Sequence, residues 1–322
     1  MNRLDTVFRL LSLDGGGIKA LYSASVLAGF ERAGGPRCSD HVHWISGTSS
    51  GGILALGLAS GKSAEELVGF FDAFGPRIFP NERGWLGAVQ QARHLLRQIA
   101  LKGRYEPRNL RHAVDELFGE RTMAELEIDV SIASVNLSSG EPVVFTRQDH
   151  PAVRIADVAM ATSATPGYLP PHRIGSDWFA DGGLWVNSPT LCGLILAMPI
   201  LRERDRLEVM SIGTVERPEG YRTAGPPQNL PQWIQRMLHA STYGQAALTH
   251  DAVNAVVPHL ASQTAYIRIP PPEFSWTRSG PVRMDTTTAQ ARTELREQGM
   301  LMAQKFLETA AVRRYLSLEE HA

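Results

Sequence analysis

Two glycine-rich turns near the N-terminus, each closing a strand-like apolar run, constrain this chain more than any other feature. Val7 to Leu13 ends in Asp14-Gly-Gly-Gly-Ile-Lys19, and Val42 to Ser46 ends in Gly47-Thr-Ser-Ser-Gly51. Runs of β-branched and large apolar residues that stop at glycine read as buried strands. Ile18 to Arg32 and the small-residue segment Gly51 to Ser60 follow with helical spacing. This β-turn-α-β-turn-α order leads to an α/β fold, with a parallel sheet and helices on both faces.

The second turn matches G-x-S-x-G, in which a sharp strand-to-helix corner exposes a serine hydroxyl, here Ser49. By residue frequencies such a match arises by chance in roughly one chain in ten of this length, so its place between a strand and a helix carries the weight. Gly47 and Gly51 admit the corner without a side-chain clash. In the first turn, the N–H groups of Gly15, Gly16 and Gly17 can converge on one anionic point, as an oxyanion hole requires. Gly15 to Ala20 also fits the dinucleotide fingerprint G-x-G-x-x-A. That reading wants an acidic residue at the end of the second strand, where Ile45-Ser46-Gly47 stands instead. A serine also needs a base. His239, His250 and His259 follow Asp181 and permit a triad by order alone, but all three lie in a helical stretch. Asp181-Gly182-Gly183 follows a short strand and turns abruptly, so its carboxylate can point back at a neighbour. A buried aspartate can itself act as base.

Ser63-Ala-Glu-Glu66 is a capping box that opens a helix. Ile128 to Val135, Pro142 to Thr146, Trp178 to Ala180, Leu207 to Ile212 and Thr264 to Ile269 read as strands. Ile155 to Thr165 reads as a helix stopped by Pro166, and Trp233 to Leu260 as one long helix or two short ones. Thr287 to Tyr315 reads as mostly helical, and Glu216 to Pro231 as a Pro- and Gly-rich loop. With no linker or repeat, 1–322 is expected to form one domain, its core at about 7–215 and the part from 229 to 322 packing on or extending it. A net charge of −1 gives no global field for a DNA or RNA polymer. Cys38 and Cys192 form no metal or disulfide pattern, so no metal and a reducing, cytoplasmic setting are expected. Arg9 interrupts the early apolar run, arguing against a secretory leader, and Leu191 to Ile200 is too short to span a bilayer.

As a set, D-G-G-G-I-K at 14–19, G-T-S-S-G at 47–51 and D-G-G at 181–183 resemble the patatin-like phospholipase family. Ala161-Thr-Ser-Ala-Thr-Pro-Gly-Tyr-Leu-Pro-Pro171 resembles a family block near the active site. The resemblance covers about 7–215. It implies a three-layer α/β/α sandwich with a mostly parallel sheet, Ser49 as nucleophile, Asp181 as its base and the Gly15–Gly17 loop as oxyanion hole. Asp14, Lys19, Gly47, Gly51, Gly182 and Gly183 are the implied supporting positions. Lys19 stands where the family has Arg or Lys, to brace the loop or meet a lipid phosphate.

The opening run to Ala28 is similar to cyclic-nucleotide-activated patatin-like effectors of bacterial antiphage systems (CBASS, CapV-type). That similarity implies a membrane phospholipid substrate at the inner face of the membrane, a cyclic dinucleotide activator, no other cofactor, and assembly into a homo-oligomer on activation. The nucleotide site is sought among Arg and aromatic residues of 76–111 or the C-terminal third. Gly84 to Leu101 is a basic amphipathic stretch fit for a lid, a lipid surface or an anionic ligand. The rival readings are a nucleotide-sensing or protein-binding module with a weak site, and a general carboxylesterase.

Overall fold

A computed structural model describes residues 7–80, 103–201, 206–214, 225–228, 230–261, 263–272 and 282–318. The amphipathic stretch at 84–101 and most of the loop expected at 216–231 lie outside them.

The frame is one eight-stranded mixed sheet. Its strands are β1 (Val7–Leu13), β2 (Trp44–Thr48), β3 (Asp129–Asn136), β4 (Glu141–Thr146), β5 (His172–Ile174), β6 (Asp177–Asp181), β7 (Arg206–Ile212) and β8 (Gln263–Ile269), in the order β5-β6-β3-β2-β1-β7-β8 with β4 on β3. Strands β3-β2-β1-β7-β8 are mutually parallel, and β4, β5 and β6 pair antiparallel. The sheet is thus mostly parallel, as the order of motifs requires. β2 starts and ends two residues later than the sequence suggests, because Gly47 and Thr48 still pair with Ile132 and Ala133.

Alternation along the strands sends side chains to two cores. Leu11, Leu13, Ile45, Val130, Ile132, Met210 and Ile212 face one side. There they meet α1 (Ala20–Arg32), α3 (Ser50–Ala59), α4 (Ala64–Ile78), α5 (Pro107–Phe118), α6 (Ile155–Thr162), α9 (Ala289–Leu307) and α10 (Ala310–Tyr315); a short α2 (Cys38–His41) precedes β2. Phe8, Leu10, Trp44, Leu207 and Val209 face the other side, against α7 (Thr190–Ala197) and α8 (Leu230–Val256). Helices on both faces of the sheet make three layers. The capping box of α4 forms as expected, with Ser63 and Glu66 satisfying each other's backbone N–H. The stretch read as one helix or two is the single helix α8, followed by a 3-10 turn at Val257–His259.

On the α7 side a row of small polar residues crosses the sheet in register: Ser131, Ser46, Ser12 and Ser211 lie on neighbouring strands, with Arg268 beyond. The Ser46 and Ser131 hydroxyls are 2.7 Å apart, and Thr190 on α7 donates to Ser12 at 2.8 Å. The row lets α7 sit very close: a Cβ at Gly193 would fall 1.8 Å from the Ser46 hydroxyl.

Candidate active site

The sheet brings its two chemical residues together by register. β4 lines Ser131–Asn136 on one edge of β3. The other edge is shared end to end by β2, which reaches Thr48 opposite Ala133, and by β6, whose Asp181 lies opposite Ser134. Thr48 and Asp181 therefore occupy adjacent rungs, and the residue after Thr48 meets Asp181.

That residue is Ser49, at φ +55° and ψ −129° where β2 breaks into α3. A side chain in this region of backbone space is strained, and such strain persists only where surroundings impose it. Gly47 and Gly51 let the chain pack tightly enough to hold it. A Cβ at Gly47 would lie 2.6 Å from the Gly51 carbonyl oxygen, and one at Gly51 would lie 2.4 Å from that of Leu13. Thr162, the last residue of α6, holds the corner from behind. Its hydroxyl accepts from the Ser49 N–H at 2.9 Å and donates to the Ala133 carbonyl at 2.6 Å.

Asp181 is buried and its carboxylate accepts hydrogen bonds from the Thr165 hydroxyl at 2.5 Å and the Gly183 N–H at 2.8 Å, with the Ser49 hydroxyl close enough to favour its charged form. Burial pushes its pKa above the ordinary carboxylate value, and the neighbouring Thr165, Gly183 and Ser49 groups pull it back. Gly182 lets the turn lie on β3, since a Cβ there would strike the Ala133 carbonyl at 2.4 Å. Of the three histidines that sequence order allowed as a base, His250 packs instead on the Tyr266 hydroxyl, 3.2 Å away. None of them is among the groups acting on Asp181.

The glycine loop abuts the serine: a Cβ at Gly15 would be 3.1 Å from that of Ser49. Its three N–H groups differ. Gly15 donates to the Asn187 carbonyl at 3.0 Å and Gly16 to the Ser50 hydroxyl at 3.2 Å, whereas the Gly17 N–H has no partner among the described residues. Gly17 takes φ +60° under the Met284 carbonyl. The Gly15 carbonyl is gripped by the Asn187 amide at 3.2 Å and the Thr214 hydroxyl at 2.5 Å. Asp14, fully buried, pairs with Arg268 through two contacts of 2.7 and 3.3 Å. Lys19 ends the short turn after the loop, its N–H on the Gly16 carbonyl at 3.2 Å.

Ser49 and Gly17 open onto a narrow cleft of about 40 Å³. Ile53, Phe70, Phe71, Ile78, Phe79, Leu110, Leu169 and Met284 line it. α4 supplies much of this wall because its apolar stripe at 70, 71, 74 and 78 faces inward. The lining beside the serine is apolar, of the kind that suits a hydrocarbon chain. Among the described residues no group of His, Cys, Asp and Glu could hold a metal ion, and no helix is long and apolar enough to cross a membrane.

Sequence reasoning missed Thr162, Thr165, Asn187, Thr214 and Arg268. The first two lie in the Ala161–Pro171 block and Asn187 closely follows Asp-Gly-Gly, so nearness to a motif could have flagged them. Thr214 and Arg268 carry no local signal.

Residues 11–191 match the family model for patatin-like phospholipases. A cGAMP-activated phospholipase of Pseudomonas aeruginosa is 37% identical over 216 residues, covering 65% of this chain and 62% of that protein. One of Vibrio cholerae is 38% identical over 203 residues, covering 58% of this chain and 56% of that protein. The chain therefore spans less than two thirds of the length of these relatives. Among solved structures, VipD of Legionella pneumophila superposes over 95% of this chain and 67% of its own with a TM-score of 0.44 and 16% identity. With the family match running over more than half of the 322 residues, this chain belongs to the patatin-like phospholipase family.

Proposed function

We propose that the chain is a lipid acyl hydrolase that cleaves ester bonds of membrane phospholipids with a Ser49–Asp181 dyad. One observation carries the reading: a strained serine, set beside a buried aspartate by the strand register, opens onto an apolar cleft next to a glycine loop. Ser49 attacks the ester carbonyl while Asp181 takes its proton. The Gly17 N–H receives the developing oxyanion, joined by Gly16 once it releases the Ser50 hydroxyl. Gly15 keeps the loop in place rather than donating, because its N–H is held by Asn187. The lysolipid leaves with the proton from Asp181, and water then frees the fatty acid from the acyl-enzyme.

We further propose that a cyclic dinucleotide switches the enzyme on and that it acts from the cytoplasm on the inner face of the membrane. The names of the bacterial relatives support the first part, and the free thiols Cys38 and Cys192 fit a reducing compartment. The test is fatty-acid release from phosphatidylethanolamine–phosphatidylglycerol vesicles by mass spectrometry, for wild type and Ser49→Ala, with and without a panel of cyclic dinucleotides that includes cGAMP. Release that needs both Ser49 and one nucleotide is expected. Release equal in Ser49→Ala would overturn the dyad, and release indifferent to every nucleotide would overturn the switch.

A further inference from the structure

Among the described residues, Thr165 is the side chain whose hydroxyl donates to the Asp181 carboxylate, at 2.5 Å. It is built into the site. α6 ends at Thr162, and the chain turns there, with the Thr165 N–H on the Ser163 carbonyl at 2.8 Å, before Pro166. Thr165 lines the cleft together with Ser49. A hydroxyl has one proton to give. The Asp181 oxygen at 2.5 Å is much nearer than the other acceptor in reach, the Ser163 carbonyl at 3.3 Å. Thr165 and Gly183 hold different oxygens of the carboxylate, which fixes the plane it presents to Ser49.

We propose that Thr165 is a third member of the site: a positioning residue that orients Asp181 and keeps it ionised, so that it can accept the Ser49 proton. This inference rests on the dyad reading above. The surroundings leave that task to hydrogen bonds. Ser49 reaches Asp181 from the start of α3, Ser134 lies opposite it on β3, Ala164 accepts its backbone N–H, and Gly183 and Asn187 flank it in its own turn. No Lys, Arg, His, Asp or Glu among the described residues acts on it from any of these elements. Without a cation to favour the charged form, losing the Thr165 donor leaves the carboxylate harder to ionise.

The experiment compares Thr165→Val, Thr165→Ser and Ser49→Ala in the full chain. It reads kcat/KM against pH on p-nitrophenyl butyrate, a soluble ester that needs no membrane, and, beside it, the pH dependence of labelling by a fluorophosphonate. The acidic limb of kcat/KM reports the free enzyme's base. In Thr165→Val that limb should move to higher pH by about one unit, the shift expected from one of a few hydrogen bonds to a carboxylate. Thr165→Ser should restore it. Labelling should shift in parallel, so the answer does not depend on turnover of the ester. A Thr165→Val limb coincident with wild type in both readouts would overturn the proposal, as would a uniform loss at every pH. If Thr165→Val fails to fold, Thr165→Ser against Thr165→Ala makes the same comparison. Failure of the dyad itself looks different: Ser49→Ala would then remain active.

Discussion

At Ser49 the backbone conformation, rather than the hydroxyl, carries the strain. φ of +55° costs a residue with a side chain on the order of 1–3 kcal/mol, and glycine almost nothing. Ser49→Gly and Ser49→Ala should both be inactive, yet the glycine variant should be more stable by about 1 kcal/mol or more, as thermal melts would show. Asp181 makes a similar trade. Burial raises its pKa above the ordinary 3.8, so the folded protein binds that proton more tightly than the unfolded chain does. The resulting stability is fully present below the unfolded value and declines as pH rises through the folded one. Asp181→Asn should therefore melt above wild type at neutral pH and converge with it in acid, while turnover falls about 10²–10⁴-fold. A melting point unchanged at both pH values would show that the carboxylate is not penalised by burial. Both residues were legible in the sequence, because glycines mark sharp turns and only a few chemistries need them there. Thr165 and Asn187 were not, since one hydroxyl or amide among many gains its role only from what the fold sets opposite it.

Elements of this fold meet at distances that their small residues decide. α7 lies on the serine row of the sheet, and a methyl group at Gly193 would overlap the Ser46 hydroxyl. Gly193→Ala should cost about 1–3 kcal/mol, the usual range for overpacking. Ser46→Ala should recover part of that loss, because it removes the atom struck. A double-mutant cycle by urea unfolding would detect the coupling, and strictly additive losses would contradict it. Strand and helix existence could be read from apolar runs, but their ends could not. β2 runs two residues past its apolar stretch, since a pairing partner on β3 keeps Gly47 and Thr48 extended. α6 stops at Thr162, three residues short of the expected end, because the residue before a proline avoids helical conformation and Thr162 is tied to β3. The early stop is what frees Thr165 to turn toward Asp181. β5 gave no signal, being three residues at the sheet's margin that pair only with β6.

Across the whole molecule, the first and last thirds are joined at the site. β8 extends the sheet beside β7, α9 packs on α1 with Ala303 against Gly29, and Arg268 closes on Asp14 beneath the glycine loop. Removing one partner of a buried pair strands the other charge, at about 3–5 kcal/mol. Arg268→Leu should thus lose that much stability, and Asp14→Asn in the same chain should return a part of it. We propose on these grounds that residues 7–318 unfold as one unit, with fluorescence and circular dichroism midpoints coinciding in urea. A separate early transition for the C-terminal part would refute that unit. The pairing also sets an order in time. Asp14 leaves the ribosome 254 residues ahead of its guanidinium, a lag of about 13–50 s at 5–20 residues per second. Throughout that interval the nascent chain holds Ser49 but lacks the brace beneath its glycine loop, so the proposed site stays unassembled until Arg268 has been made.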